Sequence, residues 1–306
     1  MRLFVRQILV PHILLVVLLA VVLFVPDARS VYPNWAFLVG IGIIEVLYIV
    51  AVLMSRRKDP IPLGSADIIL FVWILFLVWE VLSTKTGIAH QVLVPGPENV
   101  FWVFVRNGSE LFDCALSSLQ LLLLGYIFGM LFGVILGVIC GWVPRLRAMF
   151  YPIANVLAPI PSVIYTPFLV ILMPTYRWAA VMVILIGVFF PQFLNMILRV
   201  GSLPPAIVDN ARVLKVSNFT MIKDIILPFI VPDVLKSMRV SLTTGFLMLM
   251  YAESFGTRSG IGYFISNANV FANYSNIYAG IITCGIVVTI LNYATAYIQK
   301  KFTTWK

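Results

Sequence analysis

The chain is poor in the residues that carry out covalent and metal chemistry. Its three cysteines, Cys114, Cys140 and Cys284, and its two histidines, His12 and His90, lie far apart in sequence. That scatter excludes a disulfide framework and leaves no recognisable metal-ligand spacing. No G-x-x-x-x-G-K-[ST] sequence occurs, so there is no P-loop to hold the phosphates of a nucleotide. No paired acid and base recommends a membrane-embedded enzyme. Charge is scarce as well, since Asp, Glu, Lys and Arg make up only 11% of the 306 residues. A soluble globular domain and a disordered chain are both excluded by that figure.

What replaces charge is apolar surface: 61% of the residues are hydrophobic and the mean hydropathy is +1.04. This is the composition of an integral membrane protein. A helix crosses the hydrocarbon core with about 20 predominantly apolar residues. Eight such runs can be drawn, at 4–25, 35–54, 68–83, 116–142, 150–173, 178–198, 235–253 and 277–298. The first resembles a secretory signal, with Arg2 and Arg6 before an apolar core, but it is too long and lacks a small-x-small cleavage site; a retained helix is expected. Lys and Arg near span ends stay on the cytoplasmic side. Placing the N-terminus inside puts 16 of the 21 Lys and Arg in the cytoplasm and leaves Arg29, Lys85, Arg106, Arg177 and Arg258 outside. Eight spans with both termini cytoplasmic is the expected topology. The net charge of +9 then reflects orientation, with no nucleic-acid partner implied.

Between two of these runs lies a polar island at 200–228, reading VGSLPPAIVDNARVLKVSNFTMIKDIILP, on the cytoplasmic side by the charge count. Pro204 and Pro205 suit the start of a helix, and Ala206, Ile207, Ala211 and Leu214 follow at roughly helical spacing. Ser217 is placed to N-cap a second short helix over 218–227, with Phe219, Ile222 and Ile226 on one face and Pro228 at its end. Two short helices across a bend, with Val213 and Leu214 as an apolar knob beside it, form a docking surface for a soluble partner.

Other residues stand out by position. Pro152, Pro159, Pro161 and Pro167 fall in one run, and each removes a backbone donor and weakens helix continuity. Broken backbone at membrane depth is tolerated only where protein or a watery cavity covers it. Pro159, Pro161, Ser162, Tyr165 and Thr166 are therefore candidate pathway-lining residues, the alternative being a kinked structural helix. The carboxylates Glu45, Glu80 and Glu253 lie in or near runs, where acids are costly and so are functional candidates. Glu45 and Glu80 could serve a proton relay, or Glu45 a hydrogen bond between helices.

The segment DNARVLKVSNFTMIKDIILP resembles the cytoplasmic coupling loop of the membrane subunits of bacterial ABC importers, in which an acid-Ala-Ala triplet, a Gly and an Ile-x-Leu-Pro ending recur. Asp209 stands for the acid, Ala211 for the second Ala, and Ile225, Leu227 and Pro228 for the ending. Asn210 departs from the first Ala and Lys215 from the Gly, so a bend of different shape is expected. The resemblance runs from about Asp67 to Lys301. NVLAPIPSVIYTPFLVILM, FFPQFLN and YAESFGTRSGIGYFI resemble, in order, the third, fourth and fifth core helices of nitrate, sulfonate and taurine type permeases.

The resemblance implies an all-α polytopic fold: a six-helix type I importer core over 67–306 and an extra N-terminal two-helix hairpin over 1–66. It implies that Asp209, Asn210, Ala211, Arg212, Val213, Leu214 and Lys215 contact an ATPase, and that Glu253, Gly260 and Gly262 hold a gating or structural position. It implies a non-catalytic chain without its own cofactor, with ATP and Mg on a partner ATP-binding cassette ATPase dimer. A second permease copy, an external solute-binding protein and the lipid of a bacterial cytoplasmic membrane complete the expected partners. The solute would be a small anion such as a sulfonate or nitrate, or a vitamin precursor. The alternative from another class is an ion-gradient-driven carrier using Glu45 and Glu80.

Overall fold

The computed structural model describes residues 2–55 and 63–302, and every regular element among them is a helix. Arg56, Arg57, Lys58 and Lys306, on which part of the expected orientation rests, lie outside the described residues. The chain folds as two compact units, Met1–Glu110 with Ala268–Ala279 and Leu111–Asn267 with Gly280–Lys306.

The first unit contains α1 (Arg2–Phe24), α2 (Trp35–Ser55), α3 (Leu63–Glu80) and α4 (Pro97–Arg106). Its core gathers Leu18, Phe37, Ile41, Ile69 and Trp73, with the Phe37 ring 5.6 Å from Phe76 and 5.2 Å from Phe101. The outer faces keep Ile43, Leu47, Ile68 and Phe71 exposed, which costs nothing in a solvent of lipid tails as apolar as leucine itself. α3 does not stop at Glu80 but widens into a π-helical turn, Val81–Lys85, closed by Thr86 N donating to Val81 O at 2.9 Å. Such a turn re-aims the side chains that follow it. Here it buries Ser83, Thr84 and Lys85 in succession.

The second unit is built on α5 (Gly108–Trp142), α8 (Tyr176–Gly201) and α11 (Leu227–Glu253). Leu122 of α5, Ile184 of α8, and Phe246 and Leu249 of α11 are buried in one cluster. Helices in lipid gain no hydrophobic drive toward one another, so close backbone approach and shape must hold them. Gly125, Gly129, Gly133, Gly137 and Gly141 supply that approach along one face of α5. A Cβ at Gly125 would lie 2.7 Å from Val181 O of α8, at Gly129 3.0 Å from Leu185 O, at Gly133 3.1 Å from Phe189 O, and at Gly137 2.8 Å from Phe193 O. Each glycine thus rests on the carbonyl four residues further along α8. Polar ties join α8 and α5 to α11: Ser237 Oγ donates to Gln192 Oε1 at 3.0 Å, and Tyr126 Oη to Met238 O at 3.1 Å.

The run expected at 150–173 is not one straight helix. It divides into α6 (Pro144–Leu157) and, after a 3-10 turn at Ser162–Tyr165, α7 (Thr166–Leu172), bent by 84°. Pro159 and Pro161 stand in the break, where the fixed proline φ and the missing donors end the helix.

Each of the eight expected runs falls on a helix or on this bent pair. Among the described residues five helices are long and apolar enough to cross a membrane, or six if the bent pair is one span. α11 falls short of that measure because Asp233, Lys236 and Arg239 occupy its first half. The remaining elements are α9 (Pro205–Val213), α10 (Asn218–Thr220), α12 (Ile261–Val270) and α13 (Tyr274–Phe302).

Candidate coupling site

The polar island folds as a bent pair of short helices anchored to the ends of α5 and α8. Pro205 occupies the first turn of α9, where its missing N–H leaves no bond unmade. One face of α9 is held by Ala211, buried with Val138, Met196, Val200, Leu203 and Met221. The opposite face is open, with Val213 at 80% and Leu214 at 76% exposure. Two large apolar side chains left bare on a short helix outside the apolar spans read as an interaction surface.

The bend itself is a Schellman motif. Val216 N donates to Ala211 O at 3.0 Å and Lys215 N to Arg212 O at 3.0 Å, the pairings that satisfy the last carbonyls of a helix. Val216 packs in the same cluster as Ala211, supplying the apolar contact that accompanies this motif. The position between them must be left-handed, and Lys215 takes φ +54. The residue that departs from the expected Gly therefore adopts a conformation that glycine reaches without steric cost. For an L residue with a Cβ, the left-handed region costs roughly 1–2 kcal/mol. Lys215→Gly is expected to raise stability by about 1 kcal/mol, after allowing for glycine's greater loss of chain entropy. Thermal unfolding of the purified chain measures it, and an unchanged or lower melting temperature would contradict the strain.

Beyond the bend, Ser217 caps α10 as expected, accepting from Thr220 N at 3.1 Å. Asn218 Oδ1 also accepts from Trp142 Nε1 at 3.2 Å, tying the bend to the end of α5. The second short helix differs from its expected form in two respects. It passes through a π-helical stretch, Met221–Ile226, into α11, with Pro228 in the first turn of α11. The wider turn changes the facing of side chains, so Ile226 is buried while Phe219 stays exposed. Asp209 and Arg212 form an exposed pair at 3.4 Å, which contributes little to stability.

Glu253, Gly260 and Gly262 are brought together. Glu253 Oε1 accepts from Ser118 Oγ at 2.7 Å and Oε2 from Gly262 N at 2.8 Å, while Ser118 Oγ accepts from Ile261 N at 2.9 Å. The carboxyl group, with no exposed surface, thus fastens the 254–260 turn and the start of α12 onto α5. Gly260 sits at φ +125, a conformation essentially reserved for glycine.

Of the candidate lining residues, Pro159 and Pro161 are exposed at the break and Tyr165 is half-buried. Ser162 and Thr166 turn into the unit instead, 1% exposed, with hydroxyls that have no hydrogen-bond partner among the described residues. Ser162 lies against Gly187 of α8.

The other intramembrane acids are engaged separately. Glu45 pairs with His12 at 2.9 Å, joining α1 to α2. Glu80 pairs with Lys85 at 3.3 Å. These two pairs do not share a residue. Lys85, expected in an external loop, is instead buried, and sequence alone passed over both it and Glu98. The glycine ladder of α5 was passed over too, although its four-residue spacing is the small-xxx-small signature of close helix pairs.

Comparison with known proteins agrees with this architecture. Residues 129–304 match the family model described as binding-protein-dependent transport system inner membrane component. The chain is 24% identical over 256 residues to the taurine transport system permease protein TauC of Escherichia coli, covering 81% of this chain and 90% of that one. It is 28% identical over 242 residues to the nitrate import permease protein NrtB of Synechococcus elongatus, covering 74% and 86%. In fold it is similar to a chain of the MetNI methionine ABC transporter in an inward-facing conformation, with TM-score 0.52 and 18% identity over 67% of this chain and 99% of that chain. The chain belongs to the binding-protein-dependent transport system inner membrane components and is a multi-pass permease subunit of an ABC importer.

Proposed function

We propose that this permease forms the translocation pathway for a small anion, of the sulfonate or nitrate class, delivered by an external binding protein in a bacterial cytoplasmic membrane. Relatives named for taurine and nitrate transport support the substrate class. A six-helix core is too small to enclose a route alone, so two copies face one another. ATP and Mg reside on a partner ATPase dimer, and the hairpin over 1–66 is an extension of a core over 67–306. Both termini are cytoplasmic and eight helices cross the membrane.

The observation that carries this reading is the exposed Val213 and Leu214 pair, held at a Schellman bend whose other face is buried. Asp209, Asn210, Ala211, Arg212, Val213, Leu214 and Lys215 form the contact through which closure of the ATPase dimer moves the membrane helices. Glu253, Gly260 and Gly262 hold the turn that gates the outer end of α11, and the proline break with Ser162, Tyr165 and Thr166 flanks the route.

The test is co-purification. A tagged wild-type chain in mild detergent is expected to retain a P-loop ATPase and to support vanadate-sensitive uptake in cells. A Leu214→Asp, Lys215→Glu double variant is expected to weaken that retention by about 30-fold or more, as for loss of a central apolar anchor. A chain that purifies alone and still transports would overturn the reading in favour of an ion-driven carrier.

A further inference from the structure

A cavity of about 580 Å³ lies between the end of α5, the start of α6, the end of α8 and the coupling helix α9. Trp142, Arg147, Tyr151, Gly201, Asp209 and Arg212 are among the residues that line it. From this geometry we propose that the cavity is a binding site for the phosphodiester headgroup of an anionic phospholipid, with Arg147 as the principal donor. The lipid would brace the coupling helix from its membrane side.

Three observations converge on that ligand. First, Arg147 is half-buried, yet its guanidinium has no hydrogen-bond or ion-pair partner among the described residues. Burying part of a five-donor cation without an acceptor is unfavourable, and a phosphodiester supplies paired acceptor oxygens in the matching fork geometry. The neighbouring acid does not serve, because Asp209 Oδ1 faces Arg212 Nη1 at 3.4 Å. The charged lining of Arg147, Arg212 and Asp209 therefore carries a net charge of +1.

Second, the guanidinium occupies the space that a side chain at position 201 would take. A Cβ at Gly201 would lie 2.6 Å from Arg147 Cζ and 2.7 Å from Nη1, so only glycine leaves room for the group where it lies.

Third, the cavity lies where the apolar spans of α5 and α8 end, at Trp142 and Gly201, the level at which headgroups meet a spanning helix. Trp142 and Tyr151 bring the amphipathic rings typical of the membrane interface. Basic pockets between helices on the cytoplasmic side are where anionic headgroups bind. A phosphate free in the cytosol shares the chemistry but has no use for this depth or for the apolar remainder of the lining.

The experiment titrates the purified full chain, in dodecyl maltoside, with palmitoyl-oleoyl phosphatidylglycerol or the matching phosphatidylcholine and counts bound lipid by native mass spectrometry. Wild type is expected to bind phosphatidylglycerol in preference to phosphatidylcholine. Arg147→Gln is expected to weaken that binding about tenfold, the loss of one charge-assisted hydrogen-bond set. Gly201→Val, which keeps every charge but displaces the guanidinium, is expected to do the same. If Arg147→Gln does not fold, the lipid preference of wild type and the Gly201→Val result still decide.

Equal binding of the two lipids, or undiminished binding in both variants, would overturn the proposal. Displacement of phosphatidylglycerol by inorganic phosphate at comparable concentration would assign the site to free phosphate and overturn the lipid. Loss of the ATPase from Arg147→Gln with lipid binding intact would make the cavity a protein-docking site, again overturning it. Because lipid is counted on the isolated chain, the result is independent of whether α9 couples to an ATPase.

Discussion

Gly125→Leu is expected to abolish recovery of folded permease, or to lower its stability by more than about 3 kcal/mol, the upper part of the range for overpacking a close interface. The reason lies in what surrounds the glycine. A single added Cβ would already come within 2.7 Å of both Val181 O and Ile184 Cβ, one of them backbone that no rotamer change can move. Leucine adds three more carbons, so α5 and α8 would have to separate, breaking the register of the other four glycines against α8. Ile184 is buried in the cluster that also seats Phe246 and Leu249 of α11, and the disturbance would reach the third helix. One glycine of the same ladder and one of α2 provide graded controls. Gly133→Ala, where the nearest atoms stand at 3.1 Å, is expected to cost little more than a few tenths of an ångström of adjustment. Gly42→Ala, with nothing within 4 Å, is expected to be neutral or slightly stabilising, since alanine is the better helix former. The yield of monodisperse protein and its melting temperature in mild detergent read all three. Normal yield and melting temperature for Gly125→Leu would show that the α5 and α8 backbones are not held at this distance.

How much of this could be read in the sequence varies with the kind of force involved. The long helices were legible because each is an apolar run, and length and hydropathy are one-dimensional properties. The bend at 158–161 was legible in part, since four prolines in one run announce broken backbone, but an angle of 84° is set by the packing of α7 against α8. The helix at 205–213, the bend after it and the cap at Ser217 were legible from local chemistry, whereas the second short helix is continuous with α11 through a π-helical stretch. The left-handed Lys215 was not, because no rule places a lysine there. Only the Schellman bonds around it, together with the half-buried Val216 packed beside Ala211, impose that φ. The π-helical stretches at 81–85 and 221–226 left no mark in the pattern of residues, and each shifted which side chains are buried. Lys85 shows this most clearly. As a basic residue after an apolar run it read as an external charge, whereas three of its four partners come from a segment about sixty positions earlier.

Lys85→Met is expected to destabilise the chain by about 3–5 kcal/mol, the cost of removing one partner from a buried ion pair and leaving the other uncompensated. The lysine side chain is 3% exposed, paired with Asp27 at 2.6 Å and with Glu80 at 3.3 Å. Its ammonium also donates to Val25 O at 2.9 Å and Val22 O at 3.2 Å. Glu80 is completely buried, and Glu98 beside it accepts from Thr84 Oγ1 at 3.0 Å. Taking away the single cation leaves an acidic cluster that must remain buried without a counter-charge. Lys85→Met combined with Glu80→Gln should recover much of the loss, because the pair is then replaced and not merely broken. Additive losses in that double variant would show that the two side chains do not act as a pair. The network also bears on the segment before residue 67, since Asp27 and both backbone carbonyls belong to it while Lys85 and Glu80 follow it. A chain starting at residue 67 would bury Lys85 with three of its four partners gone. It should therefore share the instability of Lys85→Met even where the loop at 200–228 is intact. The segment before residue 67 supplies three of the four partners of Lys85, and the Lys85→Met, Glu80→Gln pair introduced into the shortened chain should restore its yield.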